Sequence, residues 1–120
     1  MKALLDTNFL LLPHQFGVDI FEYLKYYDIA TLSSCIEELK KLAKKKGDTA
    51  VAARVALLLL KQKNVKIIHT KEKTVDKAIL DYALQEKCTV GTNDKELIKA
   101  LKKHSVKVIR LKQNKYLEEF

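Results

Sequence analysis

Short apolar runs alternate along the chain with longer amphipathic segments, and their order predicts most of the fold. The run Lys2 to Leu5 stops at the polar trio Asp6-Thr7-Asn8, as a buried strand ending in a loop would. Pro13 and Gly17 punctuate the next stretch. Asp19 with Glu22 fits a capping box that opens a helix striped by Ile20, Phe21, Leu24 and Tyr27. Ile29 to Leu32 reads as a second strand. Ser34 and Glu37 form another box before a helix striped by Ile36, Leu39, Leu42 and Ala43, which Lys44-Lys45-Lys46-Gly47 closes with Gly47 as the residue after the cap. Asp48 is expected to cap a third helix striped by Val51, Val55, Leu58 and Leu59. Leu57 and Leu60 widen that stripe, either as core on two sides or as a homodimer face. Val65 to Ile68, Cys88 to Thr92 and Val106 to Leu111 predict three more strands. They are separated by one helix from Thr74 to about Glu86 and another, capped by Asn93 with Glu96, to about Lys103. The tail from Lys112 is mixed, with Tyr116, Leu117 and Phe120 able to order it.

Such alternation is the pattern of an α/β fold: a five-stranded parallel sheet with helices on both faces, a three-layer sandwich. A length of 120 residues, 48% hydrophobic content, three Gly, one Pro and no repeat or linker predict a single domain over residues 1–120. Disordered and fibrous classes are excluded by the same numbers. Cys35 and Cys88 lie in hydrophobic segments without partners at metal-ligand spacing, so buried reduced thiols are expected. With no run of eighteen or so apolar residues and no signal-like opening, the chain is expected to be cytoplasmic, with no membrane partner. Lys and Arg outnumber Asp and Glu by 23 to 15, a net +8 that favours a polyanionic partner such as nucleic acid.

Ligands of parallel sheets bind beyond the carboxyl ends of the strands, so acids placed there carry the candidate chemistry. Asp6 ends the first strand and Asp94 follows the fourth. At 100° per residue, Asp76 falls among Val75, Ile79, Leu80 and Ala83, whereas Asp81 turns about 150° away toward solvent. An ionised Asp on an apolar stripe needs a partner or a metal. Glu38 lies at the edge of its helix's stripe, nearer the core than Glu37, which the capping box already explains. Acids that converge without Lys or Arg between them repel, and hard divalent cations relieve that repulsion. Two such ions can promote in-line displacement at a phosphodiester. A basic run including Lys95, Lys99, Lys102 and Lys103 adjoins Asp94 and is a candidate phosphate-backbone track.

These motifs together resemble the PIN-domain ribonucleases. Leu4-Leu5-Asp6-Thr7-Asn8 looks like the first family motif, Cys35-Ile36-Glu37-Glu38-Leu39 the second, Asp76-Lys77-Ala78-Ile79-Leu80 with Ala83 the third, and Val90-Gly91-Thr92-Asn93-Asp94-Lys95-Glu96-Leu97 the fourth. The resemblance implies strand order 3-2-1-4-5 and Mg²⁺- or Mn²⁺-dependent RNA cleavage. Asp6, Glu38, Asp76 and Asp94 would be the metal-binding catalytic acids, supported by Asn8, Thr92 and Asn93. The stretch Asn8 to Gly17 and the segment Asn93 to Leu97 look more like the archaeal and eukaryotic ribosomal-RNA-processing branch than VapC-type toxins, which implies a ribosomal precursor as the RNA partner. A non-catalytic RNA-binding or ribosome-assembly module and a VapC-type toxin are the alternatives.

Overall fold

The computed structural model describes residues 1–72 and 74–120. Its strands are β1 (Lys2–Leu5), β2 (Asp28–Leu32), β3 (Lys66–Ile68), β4 (Thr89–Gly91), β5 (Val108–Lys112) and β6 (Tyr116–Glu119). The helices are α1 (Thr7–Leu10), α2 (Leu12–Phe16), α3 (Ile20–Tyr23), α4 (Ser33–Ala43), α5 (Asp48–Gln62), α6 (Val75–Glu86) and α7 (Lys95–Lys103). One sheet holds all six strands in the order β3-β2-β1-β4-β5-β6. The first five are parallel, in the order the motifs imply, and β6 is an addition that turns back antiparallel along β5.

Alternate side chains of each central strand feed opposite layers. Ala3, Leu5, Ile109 and Leu111 face Phe9, Leu10, Ile20, Leu24, Leu39 and the alanines of α5. Leu4, Ala30, Leu32, Val90 and Val108 face Ala78, Ile79 and Ala83 of α6 and Leu97 and Leu101 of α7. Burial on both faces explains why the strands read as unbroken apolar runs. Cys35 and Cys88 are buried and free, as expected.

The structure corrects the sequence reading at several helix boundaries and on one helix face. Helix α5 buries Ala50, Ala52, Ala53, Ala56 and Leu60, while Val51 and Leu58 remain 38% and 58% exposed. Small side chains let α5 lie close against its neighbours, and a hydrophobicity pattern gives them too little weight. Gly47 does not end α4. It is the N-cap of α5 at φ 98°, Asp48 is that helix's first residue, and Arg54 satisfies the carbonyls of Ala43 and Lys45 where α4 stops. Ser34 does not cap, because α4 follows directly from β2 and Leu32 occupies the cap position. Asp94, not Asn93, caps α7.

Hairpin β5–β6 closes through Gln113 and Asn114, both left-handed at φ 54° and 55°, with the Lys115 N–H donating to the Lys112 carbonyl at 3.1 Å. Paired left-handed residues suit the twist of a tight hairpin.

The chain builds outward from β1 in two directions, β1-β2-β3 on one side and β1-β4-β5 on the other. The ends of β1 and β4 are therefore a topological switch point, where a crevice opens. Leu5 pairs with Gly91 at that point. A Cβ on Gly91 would sit 2.7 Å from Leu5 Cδ2 and 3.0 Å from two Phe9 ring carbons, all within packed core. Gly91→Ala is expected to destabilise the fold by about 1–3 kcal/mol, as overpacking does. Chemical denaturation checks this, and an unchanged midpoint would show that Leu5 and Phe9 yield freely.

Candidate active site

Asp6 sits where β1 passes into α1. One carboxylate oxygen accepts the Phe9 N–H at 2.8 Å and caps the helix, and the other accepts the Thr92 hydroxyl. Its own N–H donates to the Gly91 carbonyl at 3.1 Å, so β1 and β4 jointly fix its position. With only 6% of its surface exposed, its carboxyl is pushed up to about 6, chiefly by burial. The hydrogen bonds from Thr92 and Phe9 oppose the shift, and the charges of Asp94 and Asp76 add to it.

Thr92 is wholly buried and does two things with one hydroxyl: it donates to Asp6 and accepts the Asp94 N–H at 3.1 Å. Asp94 in turn caps α7, accepting the Leu97 N–H at 3.1 Å. Glu38 reaches the same place from α4, and the Thr7 hydroxyl points at it across a long 3.4 Å. Its neighbour Glu37 turns outward toward Lys40, at 3.9 Å. Asp76 arrives from the first turn of α6. It is exposed, not embedded in the apolar stripe as the helical angles predict, because the buried face of α6 is Ala78, Ile79 and Ala83. Partial desolvation and then Asp94 raise its carboxyl.

One open cleft of about 190 Å³ is lined by Asp6, Thr7, Asn8, Glu38, Val75, Asp76, Ile79 and Asp94. All four candidate acids meet in it, with Asn8 at its rim. Roomier hollows of about 260 and 330 Å³ open at the opposite edge of the sheet and hold one carboxylate, Asp28, between them. Size therefore does not mark the chemistry here. Among the described residues, none of the four acids is in an ion pair. Four unpaired carboxylates form an all-oxygen donor set suited to a hard divalent cation. Among the described residues no three metal-ligating side chains already converge as a closed site. Mg²⁺ asks for less than that, since it keeps several waters and takes one or two carboxylates.

Asn93 lies outside the cleft lining. Its amide grips Leu111 of β5 twice, donating to the carbonyl at 3.0 Å and accepting the N–H at 2.8 Å. Lys95 begins α7 beside the cleft and Lys99 follows one turn on. Lys102 and Lys103 stand at the far end, where the Lys102 amine donates to the Val106 carbonyl at 3.2 Å. Thr7 is the site residue that sequence reasoning missed as an individual, although it stands inside the first motif.

A carboxyl near 6 in the folded chain and near 3.8 unfolded binds more protons when folded between those values. Its contribution is fully present below pH 3.8 and is lost as pH rises through 6, a swing of about 3 kcal/mol. The metal-free protein is therefore expected to lose thermal stability between pH 4 and 6.5, and Asp6→Asn to lose much less. Parallel pH profiles for the two proteins would place the strain elsewhere.

Residues 3–114 match the family described as PIN like domain. The chain is 36% identical to ribonuclease VapC4 of Methanocaldococcus jannaschii, over 99% of this chain and 96% of that protein. It is 32% identical to ribonuclease VapC9 of Archaeoglobus fulgidus, over 94% and 84% of the two. Its fold matches the solved PIN domain endonuclease Utp24 with a TM-score of 0.76 at 24% identity, covering 98% and 90% of the two chains. A domain of a functionally unknown M. jannaschii protein superposes with a TM-score of 0.66 at 18% identity, covering 92% and 91%. With a matching sequence over nearly its whole length and the corresponding sheet order, the chain belongs to the PIN-like domain family.

Proposed function

We propose that this protein is a metal-dependent endoribonuclease. The observation that carries the reading is the set of four unpaired carboxylates, Asp6, Glu38, Asp76 and Asp94, gathered at the sheet's switch point in a chain of net charge +8. Relatives at 36% and 32% identity that bear the name ribonuclease support RNA as the substrate.

In this reading the four acids would hold one or two Mg²⁺ or Mn²⁺ ions. The bound ions would activate a water and offset the charge that develops on the phosphate in transit. The protein's own groups prepare that binding. Thr92 orients Asp6 and anchors the backbone of Asp94, so that the two strand-end acids hold a fixed spacing. Thr7 steers Glu38 toward them. Burial makes the Asp6 carboxyl hold a proton more readily than an ordinary one, so Asp6 would serve as a ligand in its ionised form. Lys95 and Lys99, on the near half of α7, are placed to meet phosphates outside the cleft.

The natural RNA is proposed to be a ribosomal precursor, on the strength of the segments Asn8 to Gly17 and Asn93 to Leu97. The VapC names of the curated relatives favour a second reading, a toxin-type ribonuclease held by a protein inhibitor. Growth separates the two. Induced expression that arrests cells, relieved by Asp6→Asn, supports the toxin, and accumulation of uncut ribosomal precursor on depletion supports the processing enzyme.

The activity itself is tested by incubating the protein with a structured RNA bearing single-stranded loops, with Mn²⁺, Mg²⁺ or EDTA. Cleavage should require the cation and be abolished by Asp6→Asn. Thr92→Val should cost roughly 10- to 100-fold, as loss of a ligand's hydrogen-bond partner does. Cation binding without cleavage of any RNA offered would instead support a non-catalytic assembly module.

A further inference from the structure

The hairpin that extends the sheet stands beside the acidic cleft and presents groups suited to RNA. Helix α7 starts at the carboxyl edge of the sheet, capped by Asp94, and runs back to the amino edge. At 1.5 Å per residue this carries Lys103 roughly 12 Å from Lys95. At that far end Lys102 lies over the Phe120 ring at 5.0 Å as well as on the Val106 carbonyl. The basic run therefore leaves the cleft along α7 and returns to it along β5, which is parallel to β4. The end of β5 at Lys112 and the turn Gln113-Asn114-Lys115 stand on the same edge as the four acids.

The register fixes which way the tip faces. Lys112 pairs with Tyr116 and Arg110 with Glu118, so these four side chains share one face. Ion pairs on that face agree: Arg110 to Glu118 at 2.9 Å and Lys112 to Glu118 at 3.6 Å. Val108 alternates onto the same side and packs in one cluster with Leu97 and Leu101 of α7. The tip thus shares its face and its edge with the start of α7, where Asp94 and Lys95 lie. The two hydrogen bonds between Asn93 and Leu111 set the spacing, since Asn93 adjoins Asp94 and Leu111 adjoins Lys112.

At the tip stand a Tyr116 side chain 45% exposed, the Lys112 amine, and an exposed Lys115 that joins no ion pair among the described residues. The left-handed pair Gln113-Asn114 makes this a tight turn. The cleft's four carboxylates repel phosphates that are not bridged by a cation, so a substrate must be gripped by cations beyond the rim. An aromatic face flanked by two amines matches the stacking-plus-phosphate grip used on single strands, whose bases are free to stack.

We propose that the β5–β6 hairpin tip is a binding subsite for single-stranded RNA flanking the cleaved bond, with Tyr116 stacking on a base and Lys112 and Lys115 holding adjacent phosphates. This rests on the ribonuclease reading and adds a place where the strand is held.

The test measures anisotropy of a fluorescent single-stranded RNA bound in EDTA, so that no cleavage intervenes. Tyr116→Ala should weaken binding about tenfold, within the range for one stacked base, and Tyr116→Phe should restore it. Lys115→Gln should reduce the slope of log affinity against log salt by about 0.7. Tyr26→Ala, an equally plain loss of a 79% exposed tyrosine just before β2 at the opposite edge, should change nothing. Matching thermal melts exclude misfolding of the variants. Unchanged affinity of Tyr116→Ala, in a protein that binds and cleaves RNA, would overturn the subsite and leave the enzyme reading standing. Unaltered protein that neither binds nor cleaves RNA would overturn both.

Discussion

The cleft rests on carboxylates that the fold holds together at one edge of the sheet, with the burial of Asp6 as the largest penalty and the charges of Asp94 and Asp76 adding to it. Asp6 and Asp94 leave the ends of neighbouring parallel strands, joined through a single buried hydroxyl, that of Thr92. Glu38 and Asp76 come in from helices on opposite faces of the sheet. No lysine or arginine among the described residues pairs with any of them. Burial of Asp6 sharpens this, because a charge that is nearly out of water gains most from a partner.

Holding such a cluster demands rigidity behind it, and the packing supplies it. Gly91 lets β4 approach Leu5 and Phe9 more closely than any side chain would permit. Thr31 donates to the Leu5 carbonyl at 2.8 Å, tying β2 to the last residue before Asp6. Asn93 locks the start of α7 to β5. The cost of assembling like charges is thus met by apolar burial and backbone pairing on both sides of the sheet. Basic residues stand outside the cleft, on α7, at the terminal hairpin and in the run Lys40 to Lys46, where a polyanion could meet them without any of them quenching the acids.

Much of this was legible in the sequence because parallel sheets place strand ends on one edge. Asp6 and Asp94 could be found from that rule alone, and a helical angle distinguished Glu38 from Glu37. The helical angle does not explain why Asp76 lines the cleft, since it is solvent-exposed in the first turn of α6 and not buried on the helix's stripe. The alanine face of α5 was hidden by its bulkier neighbours, as apolar patterns weigh size and not closeness of approach. The caps at Asp48 and Asn93 were each misplaced by one residue, where Gly47 and Asp94 stand instead, because adjacent polar residues compete for one position. Strand β6 escaped notice because its turn uses Gln113 and Asn114 in left-handed form, without the glycine that usually signals one. The link between Thr92 and both acids is long-range in sequence, and no local pattern announces it.

The central claim is that the four acids form a cation site, and anomalous diffraction from crystals grown with Mn²⁺ addresses it without reference to any substrate. A manganese peak at ligand distance from Asp6 and at least one of Glu38, Asp76 and Asp94 is the predicted result. Manganese bound only elsewhere on the surface, with the Asp6 carboxylate still turned to Phe9 and Thr92 alone, would contradict it.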